Sequence, residues 1–255
     1  MPATAVAMPE EMPMTAADAG PGAFRGFEPD ALQFLADLAA NNDRDWFKPR
    51  KADYERLIKE PLEALCVALA DRFAKLDLPL RSDPVRSPFR IYRDVRFSKD
   101  KSPYKTGQGA DFPWIDSDDD IGRPSGAVGG YFHLEPGNIF LGGGMWHPEQ
   151  ARLAAFRERL DRDPNAVLLA IEDDRFRSVF GSVTGDSLTR NPKGFAHDHP
   201  YSHLLRLKDV VFSRRLSDAE VYSPRLPDVI ASDLDTARPV LRFLDRLASP
   251  PARMD

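Results

Sequence analysis

Gly126 to Gly144 reads GAVGGYFHLEPGNIFLGGG, and its reading decides the fold class. Two strand signals flank Glu135-Pro136-Gly137-Asn138, a composition that reverses the chain tightly, so the stretch predicts an antiparallel hairpin. Upstream, GADFPW (Gly109 to Trp114) is a further short strand signal, and downstream DVVFSRR (Asp209 to Arg215) is a candidate edge strand. Around them the apolar period is helical. Leu32, Phe34, Leu35 and Leu38 follow Pro29. Leu57, Ile58, Leu62, Leu65, Cys66, Leu69 and Phe73 form a second stripe, where Pro61 predicts a kink or a restart. Pro148 and Pro164 each open a helix, and a short one falls in Tyr201 to Lys208. The chain is helical again from Ser217, and Pro239 begins a last helix carrying Val240, Leu241, Leu244 and Leu247. Phe176 to Phe195 reads as short strands and turns. Helices before, between and after antiparallel strands, without regular strand-helix-strand alternation, predict an α+β domain with a mainly antiparallel sheet.

The chain has 255 residues, 42% of them hydrophobic, which suits a single large domain, expected over residues 23–249. Residues 1–22, rich in Ala, Pro and Met, have too little to bury to offset the entropy of ordering, and are expected to be a disordered tail. Residues 250–255 are expected to form a short C-terminal tail. No apolar run approaches the roughly 20 residues of a membrane helix, and the N-terminus lacks the basic start of a secretory signal. Cys66 is the one cysteine. These features lead to the expectation of a cytoplasmic protein without membrane contact.

Charge is concentrated in one place. Arg86 to Lys105 (RSPFRIYRDVRFSKDKSPYK) holds seven basic residues against Asp94 and Asp100, while the whole chain carries −5. A local cationic cluster on an acidic background attracts an anion, and the acidic balance argues against a dedicated duplex-DNA binder. The segment reads as a strand followed by a loop. Phe89, Ile91, Val95 and Phe97 share one parity with Arg93, which places that guanidinium on the apolar side, facing an acid or a bound anion.

The candidate ligand-binding residues are therefore Arg90, Tyr92, Arg93, Arg96, Lys99, Lys101, Tyr104 and Lys105, with the hydroxyls of Ser98, Ser102 and Thr106 nearby. Gly142, Gly143 and Gly144 precede the helix at Pro148, where free amides would hold an anion; a plain turn is the alternative. Lys193, in the Pro-Gly turn of RNPKGF, is a further cation for the same cleft, or a surface lysine. His133 and His147 are acid-base candidates without a legible partner. His197, His199 and His203 match no zinc spacing, so no metal site is assigned. No cofactor and no catalytic residue is assigned either.

The motifs FRGF, NNDRDWF, RIYRDVRFSKDKSPYKT, GGYFHLEP, GGGMW, LTRNPKGF and HPYSHLLRLKD occur in that order. Together they make the chain resemble an uncharacterised bacterial and fungal family, domain of unknown function 2461. The resemblance implies membership and brings no activity with it. Three readings follow from the residues. The first is a cationic cleft for a phosphorylated or carboxylated ligand, in an enzyme or a binding protein. The second is a nucleic-acid-binding or processing protein, with Tyr92, Tyr104 and Trp114 stacking bases. The third is a structural or interaction protein whose basic strand is neutralised by its own acids.

Overall fold

A computed structural model describes residues 23–96, 99–115 and 128–247. The tails at 1–22 and 250–255, the parity of Phe97 and the Ser98 hydroxyl lie outside the described residues.

Helix α1 (Pro29–Ala40) starts at its proline and buries Ala31, Phe34, Leu35 and Leu38. Two single-turn helices, α2 (Arg44–Phe47) and α3 (Lys51–Tyr54), lead into a π-helical turn at Glu55–Lys59 and then into α4 (Glu60–Lys75). Pro61 thus directly follows the π-helical turn in a run whose backbone stays helical through Lys59 and Glu60, so the break in regular α-helical spacing falls just before the proline, as a π-bulge in a continuous helix.

The sheet is a fully antiparallel meander in the order β1 (Gln108–Pro113), β2 (Val128–Leu134), β3 (Phe140–Met145), β4 (Val210–Arg215). The β2–β3 hairpin closes as expected. Asn138 N–H donates to the Glu135 carbonyl at 2.9 Å, and Gly137 takes φ 73° after Pro136, a type II turn. Between β3 and β4 run α5 (Gln150–Arg162), α6 (Pro164–Ile171), α7 (Asp174–Phe180) and α8 (Ser202–Leu205). After β4 come α9 (Asp218–Val221), α10 (Leu226–Thr236) and α11 (Arg238–Arg246). Helix α7 departs from the expected strands and turns: Asp173 caps it by accepting from Phe176 N–H at 3.0 Å, and Gly181 at φ 75° ends it. Among the described residues no helix is long and apolar enough to cross a membrane.

The register divides the sheet into two unlike faces. Ala110, Phe112, Val128, Phe132, Leu134, Leu141, Met145, Val210 and Phe212 point to one side and are all buried. Helices α4, α7 and α11 cover that side, and Leu234 of α10 reaches it at Gly130. Phe73 of α4 meets Phe112 edge-on at 5.6 Å, and Phe27 stacks on Phe132 at 5.9 Å. The opposite side carries Gly109, Asp111, Gly129, Tyr131, His133, Phe140, Gly142 and Gly144. Its residues are mostly small or polar.

The basic segment does not form the predicted strand. It runs beside β1, with Phe89 N–H on Gly109 O at 2.8 Å and Asp111 N–H on Ser87 O at 3.1 Å. It then leaves the sheet and pairs with itself through the Tyr92–Tyr104 bridge. The segment changes partner from β1 to its own returning arm between Phe89 and Ile91, so parity in the first pairing does not carry over to the second. Ile91 is buried as expected, whereas Arg93 lies on the surface, its side chain 38% exposed and paired with Asp100. The expectation of an inward Arg93 is corrected accordingly.

Candidate functional site

A cavity of about 400 Å³ opens on the small-residue side of the sheet, between the starts of β1 and the hairpin turn. Phe89, Arg93, Tyr104, Lys105, Thr106, Gly107, Gln108, Gly109, Tyr131, His133 and Glu135 line it. Three of these come from YFHLE, where alternate strand residues share a face. Tyr131 and His133 project from β2, and Glu135 follows as the first residue of the type II turn.

These three side chains are joined in series. Tyr131 Oη lies 2.9 Å from His133 Nδ1, and His133 Nε2 lies 3.2 Å from Glu135 Oε2. Thr106 donates to Glu135 Oε1 at 2.7 Å, and Asn138 Nδ2 to Oε2 at 3.4 Å. Burial alone would raise the Glu135 pKa, but the bonds from Thr106, His133 and Asn138 together outweigh it and hold the carboxyl below its ordinary range. An ionised Glu135 only accepts, so it bonds to an Nε2–H of His133; in the neutral tautomer with that proton, Nδ1 carries the lone pair and the Tyr131 hydroxyl is the donor to it. Burial first, then the charges of Asp111 and Glu135, push the Tyr131 phenol up to about 12.

Glycines make the room for this arrangement. A Cβ on Gly109 would stand 2.7 Å from Tyr131 Oη and 2.5 Å from the Phe132 carbonyl oxygen. A Cβ on Gly107 would meet Glu135 Cβ at 2.9 Å and His133 Cε1 at 3.0 Å. The ring and the imidazole thus lie over β1 because the backbone beneath them bears no side chain.

Lys105 enters from the other wall. Asn42 holds the neighbouring Tyr104 by both backbone groups, accepting from its N–H and donating to its carbonyl at 3.0 Å each, and Phe47 stacks on its ring at 4.2 Å. Lys105 N–H bonds to the Ile91 carbonyl at 2.9 Å, and its ammonium sits 4.9 Å from the centre of the Phe89 ring. Its pKa is lowered, chiefly by burial and then by Arg90; among the described residues no carboxylate pairs with it.

Of the predicted site residues, the structure brings Arg93, Tyr104 and Lys105 to the cavity, together with the Thr106 hydroxyl and the acid-base candidate His133. The others lie elsewhere. Arg90 is exposed, and Tyr92, 53% exposed, leans on Tyr104 outside the cavity. Arg96 pairs with Asp94 at 2.7 Å, Lys101 donates to the Val95 carbonyl at 2.9 Å, and Lys99 is exposed. Asp94 and Asp100 are each held down at about 2, Asp94 mainly by the Arg96 side chain and Asp100 mainly by Ser102, with Arg93 contributing less. Gly142, Gly143 and Gly144 lie within β3, paired with β2 and β4 rather than presenting a turn to the cavity. Lys193 is exposed and does not line it.

His147 donates its backbone N–H to buried Asp209 at 2.7 Å, and its largely exposed ring keeps Nδ1 3.5 Å from the same carboxylate. His199 uses both ring nitrogens locally, accepting from Tyr201 N–H at 3.1 Å and lying 3.3 Å from Asp161. The lining residues that sequence reading passed over are Phe89, Gly107, Gln108, Gly109, Tyr131 and Glu135. The alternation Tyr131-x-His133-x-Glu135 was the available signal, since a period of two through a predicted strand aligns all three.

A family model described as a conserved hypothetical protein (DUF2461) matches residues 30–243. The chain belongs to this family. No curated protein and no solved structure matches the sequence. The match extends from α1 into α11, so every strand and every lining residue of the cavity falls inside the family's domain of unknown function.

Proposed function

We propose that the cavity binds a small ligand bearing a carboxylate or phosphate, with Lys105 as its anchor. The observation that carries this reading is Lys105 itself. A lysine that loses solvation and is repelled by Arg90 without a carboxylate partner gains most from an incoming anion. The volume of about 400 Å³ falls in the range of small-molecule sites rather than of a polymer track. Thr106 and Tyr131 add hydroxyls, and Phe89 offers a ring face to an apolar portion of the ligand.

The nucleic-acid reading has less support, because Tyr104 and Trp114 are 5% and 6% exposed and have no free faces on which bases could stack. Internal neutralisation accounts for Arg93 and Arg96, whose partners are Asp100 and Asp94, but it leaves Lys105 without a counter-charge.

Melting wild type, Lys105→Met and Lys99→Met with phosphate, citrate and mononucleotides at fixed ionic strength tests the reading. At a hundredfold excess over Kd, wild type and Lys105→Met should differ by about 2.7 kcal/mol of ligand-dependent stability. Lys99→Met should behave as wild type. Equal anion responses in all three proteins, or none in any, would remove Lys105 as an anchor.

A further inference from the structure

We propose that Tyr131, His133 and Glu135 form a proton relay with Tyr131 as the catalytic base, acting on a small carboxylate or phosphate compound that carries a reactive O–H. This builds on the anion-binding reading, which supplies the substrate class, but the relay has separate geometric support.

Tyr131 Oη faces the cavity and spends its one proton on His133 Nδ1 at 2.9 Å, so its remaining lone pairs are available to accept from a bound hydroxyl. A buried phenol stays protonated near neutrality and is a poor base by itself. Here its proton has a destination. As a substrate O–H gives its proton to Tyr131 Oη, the phenol proton passes to His133 Nδ1, and the resulting imidazolium lies between Tyr131 and the Glu135 carboxylate, 3.2 Å away. One proton enters Oη, one leaves it, and the electron pair of the broken O–H bond stays on the substrate oxygen as a nucleophile. Thr106 and Asn138 fix Glu135, and Gly107 and Gly109 leave the space in which the chain of bonds lies. His133 and Glu135 act through Tyr131 and are positioning residues. The other charged groups around them are Asp111 from β1, and Arg93 and Lys105 from the facing segment.

The probe is 4-nitrophenyl acetate, with the acetylated tyrosines located and timed by peptide mass spectrometry. In this reaction Tyr131 Oη forms a bond to the acyl carbon, 4-nitrophenolate departs, and the phenol proton goes to His133. Tyr92, exposed and outside the cavity, is the reference within the same molecule. Tyr131 should be acetylated roughly a hundredfold faster than Tyr92, the size of a general-base contribution. His133→Gln should bring it to the Tyr92 rate, and Glu135→Gln should slow it by roughly tenfold, equivalent to one pKa unit at the base.

Nitrogen-15 spectra of the wild-type imidazole provide a readout that does not depend on any variant folding. They should show the proton on Nε2. A proton on Nδ1, or Tyr131 labelling no faster than that of Tyr92, would overturn the relay. Phosphate or citrate should protect Tyr131 in wild type but not in Lys105→Met. Fast labelling without protection would break the anion reading and keep the relay; anion stabilisation with slow labelling would do the reverse.

Discussion

Adjacent residues of β2 lead to opposite fates. Phe132 and Leu134 enter a helix-covered core, while Tyr131 and His133 enter a cavity lined by glycine and polar groups. On the core side large side chains fill the space between sheet and helices, and stability follows the apolar area removed from water. On the other side, glycines at 107 and 109 keep the space open and hydrogen bonds hold its contents. One strand thus faces a packed core on one side and an open cavity on the other at a spacing of one residue, because successive side chains alternate across a pleated sheet.

The contrast is sharpest in Phe132→Ala. Phe132 is fully buried and stacks on Phe27, so its truncation should cost on the order of 3–5 kcal/mol in urea unfolding. A loss below about 1 kcal/mol would mean that the core side collapses around the gap. Gly109→Ala comes next, at roughly 1–3 kcal/mol, because the added methyl would meet backbone at Phe132 O as well as Tyr131 Oη. It should also break the Tyr131–His133 bond, visible as a changed imidazole nitrogen shift. An unperturbed shift would show that Gly109 does not set the position of Tyr131.

Tyr131→Phe should cost less, about 1 kcal/mol, since the ring keeps its contacts and one hydrogen bond is lost. A loss as large as that of Phe132→Ala would erase the distinction between the faces.

The smallest effect is one of pH. The Glu135 carboxyl is held below its unfolded value, so its contribution is present in full above the ordinary carboxylate range and is lost as pH falls through its lower folded value. Stability measured from neutral pH down through that window should therefore fall less steeply in Glu135→Gln than in wild type. Parallel curves would show that the bonds from Thr106, His133 and Asn138 do not hold the ionised form.

Much of the fold was legible because it rests on local rules. Prolines at 29, 164 and 239 opened helices, the Glu-Pro-Gly-Asn turn set the β2–β3 hairpin, and helical stripes marked α1, α4 and α11. Helix α7 was missed, although Asp173 three residues before Phe176 was a capping signal, because glycine and serine downstream suggested turns. The basic cluster was visible as charge, but its disposition was not. Arg93 and Arg96 found acids within seven and two residues, while Lys105 did not.

The sequence by itself determined most of the helices, the antiparallel β2–β3 hairpin and where positive charge accumulates, since periodicity, turn chemistry and composition are properties of short stretches. Only the tertiary structure decided that Arg93 meets Asp100 while Lys105, at the cavity, pairs with no carboxylate among the described residues, and that Thr106 and Asn138 converge on Glu135. Asn42 anchors Tyr104 across 62 residues, and Thr106 reaches Glu135 across 29. Contacts over such separations are selected by the packing of the whole sheet and its helices, a long-range condition that no local window of sequence contains.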